Sequence, residues 1–229
     1  MSDLLTADVE AAVVSTAPGQ QSAPIERMFG RILAVGAHPD DIELGCGGTL
    51  CRYRQRGSDI AFCVLTCGER GGDFEDRSME ARTAARLVGA ELTFGDLPDT
   101  QVSEGQPTIE IVEGVIERFR PTAVFVNSPN DTHQDHRNAA RAVISAARFV
   151  PIVLFYQTPS STRDFTPTLY IDVSATLPDK LQAISIHASQ SQRMYMSQEA
   201  VRGLAAFLGL QIYRGGKYFE GFEIHQMIL

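Results

Sequence analysis

The chain has 229 residues, 44% of them apolar and 21% charged, with a formal net charge of −8. That length supports one domain with a substantial core, and the acidic balance argues against a nucleic-acid partner bound through its phosphates. No apolar run approaches the ~18 residues that span a bilayer, and Met1 to Glu10 carries acids where a secretory signal needs a basic start. A cytoplasmic protein with no membrane partner is therefore expected.

Residues 1–27 mix small and polar types without a period and read as a tail, disordered or packed on a partner subunit. Residues 28–229 then form the folded domain. Ile32 to Ala37 is a short apolar run that predicts a strand buried on both faces. A helix is expected over Leu44 to Arg56, stopped by Gly57, and a strand over Asp59 to Thr66. Ser78 to Val88 places Ala81, Ala84, Ala85 and Val88 on one helical face, with Gly89 after it, and Glu91 to Phe94 is a short strand. Ile109, Val112, Ile116 and Phe119 fall at helical spacing, closed by Pro121. A strand over Thr122 to Val126, a helix over Arg137 to Arg148, and strands over Ile152 to Tyr156 and Leu169 to Val173 follow. Thr176 to His187 reads as a helix with Thr176 as N-cap and Asp179 three residues on, and Ser197 to Leu208 as the last helix. The alternation predicts a Rossmann-like α/β fold, a mostly parallel sheet with helices on both faces.

Cys46, Cys51, Cys63 and Cys67 form no CxxC pair and read as buried apolar fillers rather than disulfides or metal ligands. Gly45, Gly47 and Gly48 lack the dinucleotide-binding spacing and follow an acidic pair that repels phosphate. They read as positions where a helix packs closely on the sheet.

Two clusters carry chemistry. His38-Pro39-Asp40-Asp41 follows the first strand, where open α/β sheets bind ligands. A ring nitrogen of His38 and an oxygen of Asp41 can converge on one metal ion, leaving Asp40 beside it to handle a proton. Zinc accepts such nitrogen and oxygen ligands, about three of them in a catalytic site. The plainer alternative is a polar turn with an N-cap aspartate. The second cluster, His133-Gln134-Asp135-His136, follows the strand over 122–126. Histidines three apart share a helical face, so one ring can bind metal while the other faces a substrate, and Asp135 can set a ring tautomer.

These residues resemble a known family. His38 to Glu43 followed by Gly45 to Leu50 is similar to the signature of the PIG-L/LmbE-like deacetylases, and His133 to His136 to its second motif. Thr66 to Glu69, Arg77 to Gly89, Asp96 to Asp99, His187 to Gln190 and Tyr218 to Phe222 resemble further segments, so that the likeness spans roughly 30 to 225. The resemblance implies zinc, or another divalent ion such as Fe2+, held by His38, Asp41 and His136. It implies Asp40 as general base, and His133 as oxyanion stabiliser or acid toward the leaving amine, with Asp135 orienting it. Arg77 and Asp99 are implied as substrate contacts, with Glu69 supporting the site. The implied reaction is removal of an N-acetyl group from an N-acetylglucosamine-type sugar or related small glycoside. An amide of a non-sugar or thiol conjugate is the alternative, and a homo-oligomer is left open. Ile42 stands where many members have Glu, which leaves Glu43 to read as a first-turn helix residue favoured by the dipole. In the implied chemistry the metal acidifies water and polarises the carbonyl, Asp40 accepts a proton, and a protonated His133 stabilises the oxyanion. A silent binding protein would have no need of Asp40 beside three ligands.

Overall fold

In a computed structural model of the chain, which describes residues 28–228, the first apolar run forms β1 (Arg31–Gly36), buried throughout from Ile32 on. The expected tail over 1–27 lies outside the described residues. Next come α1 (Asp41–Gln55), β2 (Asp59–Thr66), α2 (Phe74–Val88), β3 (Glu91–Leu97), α3 (Gln106–Phe119), β4 (Ala123–Asn127), α4 (Gln134–Ala146) and β5 (Ile152–Tyr156). The chain continues through β6 (Leu169–Asp172), α5 (Leu177–Ser185), two 3-10 turns (Ala188–Gln190, Met194–Met196), α6 (Gln198–Gln211) and β7 (Phe219–Met227). The sheet has seven strands in the order β3-β2-β1-β4-β5-β7-β6. β1 to β5 are parallel, and β7 runs antiparallel between β5 and β6. This is the mostly parallel Rossmann-like sheet that the alternation predicts. Among the described residues no helix is long and apolar enough to cross a membrane.

Alternation along the strands divides the core in two. Ile32 and Ala34 of β1 pack with Ile42, Cys46 and Leu50 of α1 on one face. Leu33 and Val35 pack with Ala139, Ala140 and Val143 of α4 on the other. The helices after β1 and β4 therefore leave on opposite faces, although the two strands are neighbours. That is a topological switch point, where the carboxyl ends of the strands open onto a crevice.

Local chemistry explains where elements depart from expectation. α1 begins at Asp41, three residues early, because Asp40 adopts a left-handed conformation (φ 97°) that turns the chain directly into the helix. α2 begins at Phe74, not Ser78, because the Asp73 side chain accepts from the backbone N–H of Glu75 and Asp76. Thr176 is the N-cap residue of α5, as expected, but its side chain makes no cap hydrogen bond: the hydroxyl donates to the Gly48 carbonyl at 2.7 Å. β3 runs on to Leu97 past a register shift between Val64 and Thr66 of β2. All four cysteines are free and buried.

α1 is held against the sheet and α5 from its middle. The Glu220 carboxylate accepts from Gly48 N–H (2.9 Å) and Thr49 N–H (2.7 Å), and the Lys180 ammonium donates to Glu220 and to the Leu44 carbonyl. Each buried charge thus has a partner and further hydrogen bonds, without which burial would be costly. Gly45 lies on Tyr156: a Cβ there would sit 2.1 Å from the ring. The close-packing role expected of these glycines is what the helix uses. Gly45→Ala is predicted to destabilise the protein by about 3 kcal/mol in urea unfolding, since overpacking outweighs the ~1 kcal/mol gained in helix propensity. Gly114→Ala and Gly203→Ala, where a Cβ meets nothing within 4 Å, should instead stabilise by about 0.5–1 kcal/mol. Equal effects at the three sites would contradict this packing.

Candidate active site

The turn after β1 and the start of α4 meet across the β1–β4 boundary. The Asp41 Oδ2 accepts from the His38 backbone N–H at 2.9 Å and closes the 38–41 turn. At the other cluster, the Asp131 Oδ1 accepts from His133 N–H at 2.8 Å, and His133 Nδ1 accepts from Asp135 N–H at 3.2 Å as the N-cap of α4. His136 then sits in the first turn of α4 and faces His38.

The donor atoms of His38, Asp41 and His136 converge. His38 Nδ1 lies 3.3 Å from His136 Nε2, which lies 3.3 Å from Asp41 Oδ1, and Asp41 Oδ2 lies 3.6 Å from His38 Nδ1. A tetrahedral ion with bonds of about 2.0–2.1 Å holds its ligands about 3.3 Å apart, so this donor set fits a small divalent cation. The other nitrogen of each ring is already engaged. His38 Nε2 meets Asp99 Oδ1 (3.0 Å) and Asp135 Oδ2 (3.2 Å), and His136 Nδ1 meets Asp131 Oδ2 (3.1 Å). Such carboxylate partners direct the remaining lone pair of an imidazole toward a metal. The ring nitrogens of His38, His133 and His136 also lie within 4.8 Å of one another, as do donor atoms of His38, Asp99 and Asp135. The second of these sets is the orienting shell of His38. In the first, His133 Nδ1 is occupied by the Asp135 N–H, so its Nε2 carries the proton and offers an N–H to the cleft.

The site is rich in buried acids, with Asp40, Asp41, Asp99, Asp131 and Asp135 all enclosed. Burial disfavours a His38 cation, but hydrogen bonds to Asp135, Asp41 and Asp99 outweigh it and raise the pKa well above the ordinary value. His136 is likewise pushed up to about 9, burial being overcome by Asp41 and Asp131. The pocket thus demands positive charge, which protons meet in the absence of an ion. Burial and the nearby Asp41 charge push Asp40 up to about 6, against the pull of Arg77 and His187. His133 is lowered, by burial and by the like charges of His38 and His136. That direction works against the protonated His133 of the expected chemistry.

The cleft has a volume of about 430 Å³, and its wall includes His38, Asp40, Asp41, His133 and His136. The remaining expected residues are placed differently from their readings. The Asp135 carboxylate meets His38 and the Thr100 N–H rather than His133, which it touches only through its backbone, because the helix start turns that side chain inward. Arg77 borders the cleft, but its guanidinium donates to the carbonyls of Gly68 and Pro39 and lies 3.4 Å from Asp40 Oδ2. It steadies the turn that holds Asp40 rather than reaching freely for a substrate. Asp99 also lines the cleft, yet both its oxygens are taken, by His38 and by the Arg70 N–H. Glu69 is exposed and accepts from the Asp99 N–H at 2.8 Å, so it supports Asp99 and not a ligand. His187 is buried with Nε2 3.4 Å from Glu43 Oε1, behind Asp40.

Sequence reasoning missed Asp131, Thr158 and Ser160. The Thr158 and Ser160 hydroxyls lie 3.3 Å from His136 Nδ1, and Asp131 accepts from Thr158 at 2.7 Å. An aspartate two residues before His133 is an Asx-turn spacing that could have pointed to Asp131. Thr158 and Ser160 come from the loop after β5 and leave no local signal.

Residues 33–147 match the PIG-L family, described as GlcNAc-PI de-N-acetylase. The chain is 37% identical to the uncharacterized deacetylase YaiS of Escherichia coli, over 69% of this chain and 90% of that protein. It is 25% identical to the diacetylchitobiose deacetylase of Thermococcus kodakarensis, over 83% of this chain and 81% of that one. Among solved structures, the conserved protein TT1542 of Thermus thermophilus superposes with a TM-score of 0.76 at 28% identity, covering 86% of this chain and 95% of its own. The family match contains both histidine–aspartate clusters and ends just after α4. The chain belongs to the PIG-L family of de-N-acetylases.

Proposed function

We propose that this chain is a zinc-dependent hydrolase that removes the N-acetyl group from an N-acetylglucosamine-type sugar or a related small glycoside. His38, Asp41 and His136 hold the ion, with Asp99, Asp135 and Asp131 orienting the two imidazoles. The observation that carries this reading is the meeting of His38 Nδ1 and His136 Nε2 at 3.3 Å, each facing one oxygen of the Asp41 carboxylate at 3.6 and 3.3 Å, with Asp40 in the same cleft. The names of relatives that act on acetylated glucosamine units support the substrate class.

A bound divalent ion supplies Lewis acidity to the amide carbonyl and acidifies water at the site. Asp40 accepts the proton of the attacking water. Its elevated pKa suits a base that must also return that proton. His133 donates its Nε2–H to the carbonyl oxygen as negative charge develops there. Asp40 then delivers the proton to the departing nitrogen, which leaves as the free amine while acetate is released. Arg77 holds the Asp40 carboxylate toward the cleft without neutralising it fully. A second reading, an amide carrying an anionic group in place of the sugar, is favoured by Arg70 and Arg193 in the cleft wall.

Asp40→Asn is expected to lower kcat by about 10²–10⁴-fold while the metal content stays as in wild type. Full turnover in that variant would remove Asp40 from its role. Asp131→Ala should weaken metal affinity about 10–100-fold with a smaller effect on kcat at saturating metal. Because protons occupy His38 and His136 in the metal-free site, the ion must displace them. Metal affinity should therefore rise with pH toward about 9, the value at His136, and calorimetry in buffers of different ionisation heat should register the released protons. If protein reconstituted with zinc binds no ion, the central reading fails. Amine release from a panel of N-acetyl glycosides and anionic amides decides the substrate class.

A further inference from the structure

A second cavity lies against the cleft. Its volume is about 150 Å³, and it shares Leu44, Thr158, Pro159 and Tyr195 with the cleft wall. Two of these contact residues of the candidate site. The Thr158 hydroxyl is 3.3 Å from His136 Nδ1, and the Leu44 N–H donates to the Asp40 carbonyl at 3.0 Å. The cavity therefore begins one residue away from both halves of the candidate site.

Its far side is apolar. α6 turns Val201, Leu204, Ala205 and Leu208 into it, and Phe219 of β7 closes it. The two charges at its edge, Lys180 and Glu220, are spent on each other and on the α1 backbone. A polar guest would find them engaged, whereas an apolar guest gains from leaving water. A volume of about 150 Å³ is enough for a six-carbon guest such as benzene.

We propose that this cavity is a subsite for an apolar chain of about four to six carbons borne by the substrate, either on the amide carbonyl or on the glycosidic oxygen. The inference deepens the reading of the cleft as a deacylase site and rests on it. It means that the preferred substrate carries an apolar substituent next to the sugar, and that a bare N-acetyl sugar with a methyl aglycone fills only the polar half of the available space.

The test separates the two positions and does not depend on turnover. Calorimetry on full-length, zinc-loaded Asp40→Asn protein compares methyl with hexyl N-acetylglucosaminide, and N-acetyl with N-hexanoyl methyl glucosaminide. In one of the two pairs affinity should rise about three- to fourfold per added methylene and level off near six carbons. Adding Ala205→Phe, which fills the cavity, should abolish the gain while the short ligand binds as before. Leu204→Trp, at a position 42% exposed, provides the same block without burdening the core if the first variant misfolds. Equal affinity for short and long ligands in both pairs overturns the proposal, as does absence of binding by all four ligands or a gain that survives both blocking substitutions. Failure of the wild-type enzyme to release amine from any N-acyl glycoside sinks the deacylase reading instead, whatever the chain-length result.

Discussion

Every other feature of the site depends on the parallel pairing of β1 with β4. The two strands are adjacent, but the helices that follow them, α1 and α4, pack on opposite faces of the sheet. Such a switch point opens a crevice beyond their carboxyl ends, and both loops lean into it. His38 and Asp41 enter from one side and His136 from the other, although 98 residues separate the two histidines. The pairing places them, and short-range chemistry then sets their orientation. The left-handed Asp40 turns the chain so that Asp41 opens α1, and the His38 N–H locks onto the Asp41 carboxylate. The two sides are thus fixed independently before they meet.

Charge is the second constraint. Five buried aspartates surround two imidazoles, and four of them, Asp41, Asp99, Asp131 and Asp135, are in direct contact with those rings. Burying so many carboxylates is tolerable only with compensating positive charge. The raised pKa values of His38 and His136 express that demand in protons, and the divalent cation proposed for their junction would meet it with a single charge centre. The same field divides the two candidate proton handlers. Asp40, beside Asp41, is pushed upward, while His133, beside two potential cations, is pushed downward. Opposite shifts of this kind suit the division of labour proposed for Asp40 and His133, a proton carrier beside a hydrogen-bond donor.

The support behind this arrangement is rigid and lies mostly at long range. The Glu220–Lys180 pair holds the middle of α1, and Arg77 ties Gly68, Pro39 and Asp40 together. α1 therefore carries Asp41 at its start and shares its Leu44 with both cavities. The packing of its Gly45 on Tyr156 and of its Gly48 on Val173 therefore lies on the same helix as Asp41 and Leu44.

Much of the fold was legible because it follows from period and punctuation. β1, β2, β4 and β5 are apolar runs buried on both faces, and the α3 stripe at Ile109, Val112, Ile116 and Phe119 has the helical period. The beginnings of α1 and α2 were less legible. They depend on a left-handed aspartate and on the Asp73 cap, neither of which alters hydrophobic periodicity. The antiparallel insertion of β7 between β5 and β6 was not legible either, since strand order comes from packing between distant segments. At the site, the sequence by itself determined the two clusters and the family, because residues a few positions apart must share a turn or a helical face. Only the tertiary structure decided which imidazole nitrogen is free, that the Asp135 carboxylate serves His38 rather than His133, that Arg77 is spent on Asp40, and that an apolar cavity adjoins the cleft. Each of these depends on atoms brought together from separate strand ends, and no local spacing encodes such a meeting.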